Sequence, residues 1–229
     1  ITKYRPHKFS EVIGQDAVVR SLQTTLKRKS SKTFLFTGPS GTGKTTLARI
    51  VASEAGCAPP DLLEIDAATF TGIDDMRSVT VSLLYQPLGE SAIKAVIIDE
   101  FHALSKAAVQ ALLKILEEPP SHVYWFLCTT EPTRVPQNIR TRCISYDLKP
   151  VSSSELLGLL EEVADKEKLN TGRKVLELCA REANGAPRQA LANLAACAGA
   201  KTYEEVQDLL RSAIESEEAV NLARALVKG

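Results

Sequence analysis

Through residue 148 the chain alternates short apolar runs with longer stretches of helical spacing. Thr33–Phe36, Leu62–Ile65, Ala95–Ile98, Val123–Cys128 and Cys143–Leu148 predict five strands. A run such as Ala-Val-Ile-Ile shows little alternation, which suits a strand covered on both faces of a parallel sheet. Between these runs, Gln15–Lys29, Lys44–Ala55, Asp75–Leu84 and Lys106–Glu117 predict helices. In the last, Val109, Leu112, Leu113 and Leu116 recur at helical spacing, and Pro119-Pro120 stops the pattern. Strand–helix alternation of this kind predicts an α/β fold, a five-stranded parallel sheet with helices on both faces.

After Lys149-Pro150 no strand-like run follows. Ser153–Lys166, Thr171–Ala183 and Pro187–Ala198 predict helices. Ser153 or Ser154 can cap the first, and Gly185-Ala186-Pro187 separates the second from the third. The expected organisation is an α/β domain over 1–148 and a small all-α domain over 149–211. A last helical pattern, Glu215–Val227, carries Ala219, Val220, Leu222, Ala223 and Leu226 and would need a partner surface.

Composition narrows the function classes. The chain has 229 residues, 44% apolar and 24% charged, which excludes disorder and collagen-like repeats. No apolar run approaches the roughly 20 residues of a membrane span, and Ile-Thr-Lys-Tyr-Arg-Pro argues against a secretory signal. Lys and Arg total 28 against 28 acids, so bulk charge announces no nucleic acid. The first fifty residues nevertheless hold 10 Lys and Arg against Glu11 and Asp16. That excess suits a polyanion, but on charge alone a solvated helix end at Lys27–Lys32 is the better account. Cys57, Cys128, Cys143, Cys179 and Cys197 are odd in number and widely spaced, which disfavours zinc or a disulfide framework. A reducing, cytosolic setting is expected, and His7, His102 and His122 show no ligand spacing.

The strongest chemical signal is Gly38-Pro39-Ser40-Gly41-Thr42-Gly43-Lys44-Thr45, a phosphate-binding loop between a predicted strand and a predicted helix. Its glycines let backbone N–H groups curl around phosphates, and the helix start adds a favourable dipole. Lys44 would reach the β- and γ-phosphates, and Thr45 would ligate Mg²⁺. The second signal is the strand Ala95-Val96-Ile97-Ile98 ending in Asp99-Glu100. Asp99 suits the Mg²⁺ site and Glu100 suits the attacking water, at the carboxyl edge where phosphates sit.

These features resemble an AAA+ ATPase, and more specifically a clamp-loader subunit such as bacterial gamma/tau or a small subunit of replication factor C. Lys3-Tyr4-Arg5-Pro6 with Phe9 and Val12-Ile13-Gly14-Gln15 resembles the family's opening, near the adenine. Leu112–Pro120 is close to a family hallmark, and Thr141-Arg142-Cys143 resembles its Ser-Arg-Cys motif. Gly185-Ala186-Pro187-Arg188 resembles the lid motif that carries a sensor arginine. The likeness implies nucleotide contacts from Tyr4, Arg5, Pro6, Val12 and Ile13, from the loop through Thr46, and from Pro187 and Arg188. It implies a first sensor at Thr130, although a strand-ending threonine explains that position as well. It implies that Arg142 acts on a neighbouring subunit's ATP. It implies DNA tracking at Gly72-Ile73 leading to Arg77, and at Ser105-Lys106, where solvated helix charges are the plain alternative. ATP, Mg²⁺, a sliding clamp, sister subunits in a pentameric ring and primer–template DNA are the expected ligands and partners.

The departures are informative. Thr141 stands where the family has Ser, and a cysteine zinc module of bacterial gamma/tau is reduced to Cys57. No zinc is therefore expected, and the chain leans towards the replication factor C or phage type. Residues 212–229 resemble the start of a helical collar domain. A Holliday-junction helicase, a nucleotide-binding subunit without hydrolysis and a small-molecule kinase are the competing readings. The Leu-Glu-Glu-Pro-Pro and Thr-Arg-Cys motifs, the intact Lys44, Thr45, Asp99 and Glu100, and the helical lid argue against them in turn.

Overall fold

In the computed structural model, residues 2–69, 72–88 and 92–198, with 205, 206 and 209, are described. Contacts divide the chain into a unit of Arg5–Lys149 and a unit of Ile1–Tyr4 with Pro150–Gly229. Thr2–Tyr4 thus group with the helical unit, although the sequence offers no apolar pattern to suggest it.

The larger unit is a parallel sheet of β1 (Thr33–Thr37), β2 (Leu62–Asp66), β3 (Lys94–Asp99), β4 (Val123–Thr129) and β5 (Ile144–Asp147), in the order β2-β3-β4-β1-β5. Every strand pair is parallel, with β1 set between β4 and β5 and β3 set between β2 and β4. The strands without alternation are the central ones: β1 and β4 are buried at every position. The edges β2 and β5 expose alternate or paired residues, among them Leu63.

The period-two pleat sends neighbouring residues to opposite layers. Leu35, Val96, Ile98, Trp125 and Leu127 pack with α3 (Ile73–Ser82) and α4 (Lys106–Glu117) through Met76, Leu112 and Leu116. Phe34, Phe36, Ile97 and Phe126 pack with α1 (Asp16–Arg28) and α2 (Lys44–Glu54) through Leu22, Leu47 and Val51. Phe34 and Phe126 stack with ring centroids 5.3 Å apart. Leaving out the loops, this layered core fixes the carboxyl ends of β1, β3 and β4 side by side.

Several boundaries differ from the pattern. α3 begins at Ile73 rather than Asp75, and β5 begins at Ile144 because the Cys143 N–H donates to Arg140 O in a turn. A one-turn helix α5, Gln137–Arg140, is too short for periodicity to register. In the helical unit, α6 (Ser153–Lys166) is capped by Ser152, not by Ser153 or Ser154. Ser152 Oγ accepts from Glu155 N at 3.3 Å, and the Glu155 carboxylate accepts from Ser152 N at 3.1 Å. This reciprocal capping box outranks a lone serine because it satisfies two orphan donors. α7 (Arg173–Glu182) and α8 (Pro187–Cys197) complete the unit, packed through Leu156, Leu160, Leu176, Cys179, Ala190 and Leu194, all buried. The helical pattern at Glu215–Val227 lies outside the described residues.

Candidate nucleotide site

The loop after β1 adopts the backbone its glycines permit, with φ of 134° at Gly38, 76° at Gly41 and 107° at Gly43. A Cβ on Gly38 would collide with the Leu148 carbonyl oxygen, so the loop lies directly on the end of β5. Thr42, almost fully buried, braces the turn by donating its hydroxyl to Pro39 O at 2.8 Å. Gly43 caps α2, so the α2 N-terminus faces the loop's interior. Pro39 and Ser40 form the exposed crest, while Thr45 and Thr46 are half-buried in the first turn of the helix.

Lys44 is 6% exposed, and its ammonium donates to the carbonyls of Gly38 and Pro39 at 2.9 Å each. Both acceptors belong to the loop itself, so the charge is held where an anion would replace them. The Thr45 hydroxyl donates to Asp99 Oδ2 at 2.7 Å. That contact joins the start of α2 to the end of β3 across 54 residues. An alcohol and a carboxylate are hard oxygen donors, and together they fit Mg²⁺.

Glu100 follows in a left-handed conformation, φ 48° and ψ 45°, which non-glycine residues rarely adopt. The turn swings its carboxylate toward the end of β4, where the Thr130 hydroxyl donates to Glu100 Oε2 at 3.1 Å. His102 completes a small polar cluster. Its Nδ1 lies 2.9 Å from Thr129 Oγ1 and 3.3 Å from Glu100 Oε2, and its Nε2 lies 3.1 Å from Glu131 Oε1. In the sequence His102 shows no ligand spacing, and no spacing rule links it to Glu131.

The N-terminal segment is fixed by a buried glutamine. Gln15 is 4% exposed and donates from Nε2 to Lys149 O at 2.6 Å, while its Oε1 accepts from Lys149 N at 3.3 Å. The half-buried Val12 and Ile13 are thereby tied to the strand end on which Gly38 also rests. Arg5 and Pro6 are half-buried in the same unit. Tyr4 belongs instead to the helical unit. Its hydroxyl donates to Glu167, which also pairs with Lys3 at 2.6 Å. Lys3 and Tyr4 hold the Glu167 carboxyl below the usual range, and the Glu167 hydrogen bond raises the Tyr4 phenol. Pro187 and Arg188 open α8 in the same helical unit.

Arg142 lies in the turn before β5, with its guanidinium 2.6 Å from Glu117 Oε1 and a second N–H on Asn138 O. Of the expected DNA residues, Gly72 caps α3 without a side-chain bond, and Arg77 pairs with Asp74 at 3.3 Å. Ser105 caps α4 by accepting from Ala108 N at 3.1 Å, and Lys106 is the exposed first residue of that helix. The five cysteines are free thiols. Burial pushes Cys57 up to about 11 and Cys143 up to about 12, so both stay neutral at physiological pH. Sequence patterning also missed an apolar surface at the end of α3, where Val81 is 53%, Leu84 66%, Tyr85 68% and Leu88 85% exposed.

A parallel sheet of this order, with a phosphate loop after β1 and paired acids at the end of β3, defines an AAA+ ATPase fold. RuvB from Thermotoga maritima, titled a Holliday junction branch migration motor, superposes with a TM-score of 0.75, covering 91% of this chain and 72% of that one. At 22% identity that likeness shows the fold alone. A family described as DNA polymerase III, delta subunit, matches residues 59–152. The DNA polymerase III tau subunit of Bacillus subtilis is 38% identical over 83% of this chain and 38% of its own length. The tau subunit of Escherichia coli is 33% identical over 99% of this chain and 39% of its own length. The gamma subunit of Buchnera aphidicola subsp. Baizongia pistaciae is 33% identical over 82% of this chain and 57% of its own length. Over most of its length the chain is thus similar to DNA polymerase III gamma and tau subunits. It spans 38% to 57% of the length of these three relatives.

Proposed function

We propose that the chain is an ATP-hydrolysing module of a sliding-clamp loader, using ATP binding and hydrolysis to place a clamp on primer–template DNA during replication. The observation that carries this reading is the alignment of Lys44, Thr45, Asp99, Glu100 and Thr130 at adjoining strand ends, with Thr45 and Asp99 in direct contact at 2.7 Å.

ATP phosphates would enter the loop and take the Lys44 ammonium from the Gly38 and Pro39 carbonyls. Gly38 to Thr46 would supply the backbone and side-chain donors, and the family resemblance assigns Val12, Ile13, Arg5 and Pro6 to the adenine. Thr45 and Asp99 would hold Mg²⁺, which when bound neutralises charge on the β- and γ-phosphate oxygens. Glu100 accepts a proton from the attacking water as its oxygen bonds to the γ-phosphorus. The bond to the bridging oxygen breaks, releasing ADP and phosphate. Thr130 orients Glu100 or the water through its hydroxyl. The family resemblance assigns Arg188 the role of the lid's sensor and assigns Tyr4 and Pro187 to nucleotide binding. Arg142 acts on the ATP of a neighbouring subunit in the ring.

The exposed Val81, Leu84, Tyr85 and Leu88 support a protein partner, since grouped exposed apolar side chains of this size mark interaction surfaces. The sliding clamp is the partner we assign. Among the described residues no helix is long and apolar enough to cross a membrane, and a cytoplasmic site of action fits the replication role. In the full-length protein assembled with its partners, Glu100→Gln should bind ATP and retain it without turnover. Lys44→Ala should lose affinity and turnover together. Wild-type turnover in Glu100→Gln would contradict the assignment.

A further inference from the structure

The Leu-Leu-Lys-Ile-Leu-Glu-Glu-Pro-Pro stretch has no part in the nucleotide site described above, yet its Glu117 makes the ion pair that holds Arg142. Glu117 is the last residue of α4, and its Oε1 lies 2.6 Å from Arg142 Nη2. Arg142 Nη1 meanwhile donates to Asn138 O. These two contacts engage two of the five N–H donors of a guanidinium and fix its plane, leaving the side chain 33% exposed.

Local helix physics does not explain Glu117. The C-terminal end of a helix carries partial negative charge, so a carboxylate there is disfavoured. This helix ends in two acids, Glu117 and Glu118, with Lys114 its basic residue in the last turn. A rule broken at an exposed position is expected where another demand is met. A half-exposed pair of this kind is worth little to stability. Geometry is the remaining benefit. A flexible arginine held by a carboxylate and a carbonyl loses less freedom when it meets a phosphate.

We infer that Glu117 is a positioning residue for Arg142, presenting its guanidinium to the γ-phosphate bound by the neighbouring subunit. The inference rests on the proposed role of Arg142. The test uses the full-length protein in its assembled complex, comparing Glu117→Gln, Arg142→Ala and the double variant. Glu117→Gln keeps the size and removes the charge. It should lower turnover at least tenfold while leaving ATP affinity and melting temperature unchanged. In the Arg142→Ala background, Glu117→Gln should have less than a twofold further effect, because the two residues act as a unit. Mixed with Lys44→Ala subunits, Glu117→Gln should regain part of the lost turnover, as a subunit defective only in what it donates. Unchanged turnover in Glu117→Gln beside an inactive Arg142→Ala would overturn the inference and leave the role of Arg142 standing. Raised turnover would overturn it as well, by making the pair a restraint. Full turnover in Arg142→Ala would refute the role on which it rests.

Discussion

At Gly38 two constraints coincide, a φ of 134° and the Leu148 carbonyl oxygen pressed against the place a Cβ would fill. Gly38→Ala must therefore move the loop or the end of β5, at a cost of about 1–3 kcal/mol. Gly158 is the counterexample. It is exposed within α6, and nothing lies within 4 Å of its would-be Cβ. Gly158→Ala should stabilise the helical unit by about 0.5–1 kcal/mol, because alanine loses less backbone freedom in a helix. Urea melts followed by circular dichroism check both signs. A neutral Gly38→Ala that still binds ATP would show that the loop does not depend on its contact with β5. Glu100 carries a comparable constraint without glycine's freedom. Its left-handed turn is what brings its carboxylate to Thr130, so the strain and the contact have one origin.

Among the elements, α4 links two surfaces. Ser105 caps it, Lys106 is the first of its 12 residues and Glu117 the last, next to Arg142. Phosphate contacts are favoured at helix starts, where unpaired N–H groups and a cation act together. Replacing Lys106 and Arg77 by alanine should weaken DNA binding uniformly across sequences. It should also reduce the slope of log affinity against log salt by about 1.4–1.8, the value for two lost phosphate contacts. An unchanged slope would remove both residues from the interface. The nucleotide loop was legible in the sequence because its geometry is local: glycines at fixed offsets, Lys44 and Thr45 at the next helix start, Asp99 at a strand end. What stayed hidden depends on strand pairing. Thr130 meets Glu100 because β3 and β4 are neighbours, and His102 meets Glu131 for the same reason. Glu117 and Arg142 are 25 residues apart and meet across a turn that no periodicity announces. α5 and the Ser152 cap were missed because four residues are too few for a pattern and the cap lies one residue before the helical spacing begins.

For the whole molecule, the proposal ties hydrolysis to assembly. Lys44 and Thr45 at the start of α2 meet Asp99, Glu100 and Thr130 at the ends of β3 and β4, whereas Arg142 is held by Glu117 and Asn138 in the turn before β5. Transferring a phosphoryl group needs positive charge at the γ-phosphate, and a guanidinium supplies it at about 10³–10⁵-fold in rate. A free subunit should then bind ATP but turn it over slowly. The most direct measurement is steady-state ATP turnover in assemblies of Arg142→Ala and Lys44→Ala subunits, separately and mixed, with ATP affinity and melting curves beside it. Arg142→Ala retains its own site and Lys44→Ala retains its arginine. Each alone should lose most turnover, and the mixture should recover part of it. If no mixture recovers turnover while both variants assemble and melt normally, Arg142 does not act across subunits and the account is wrong.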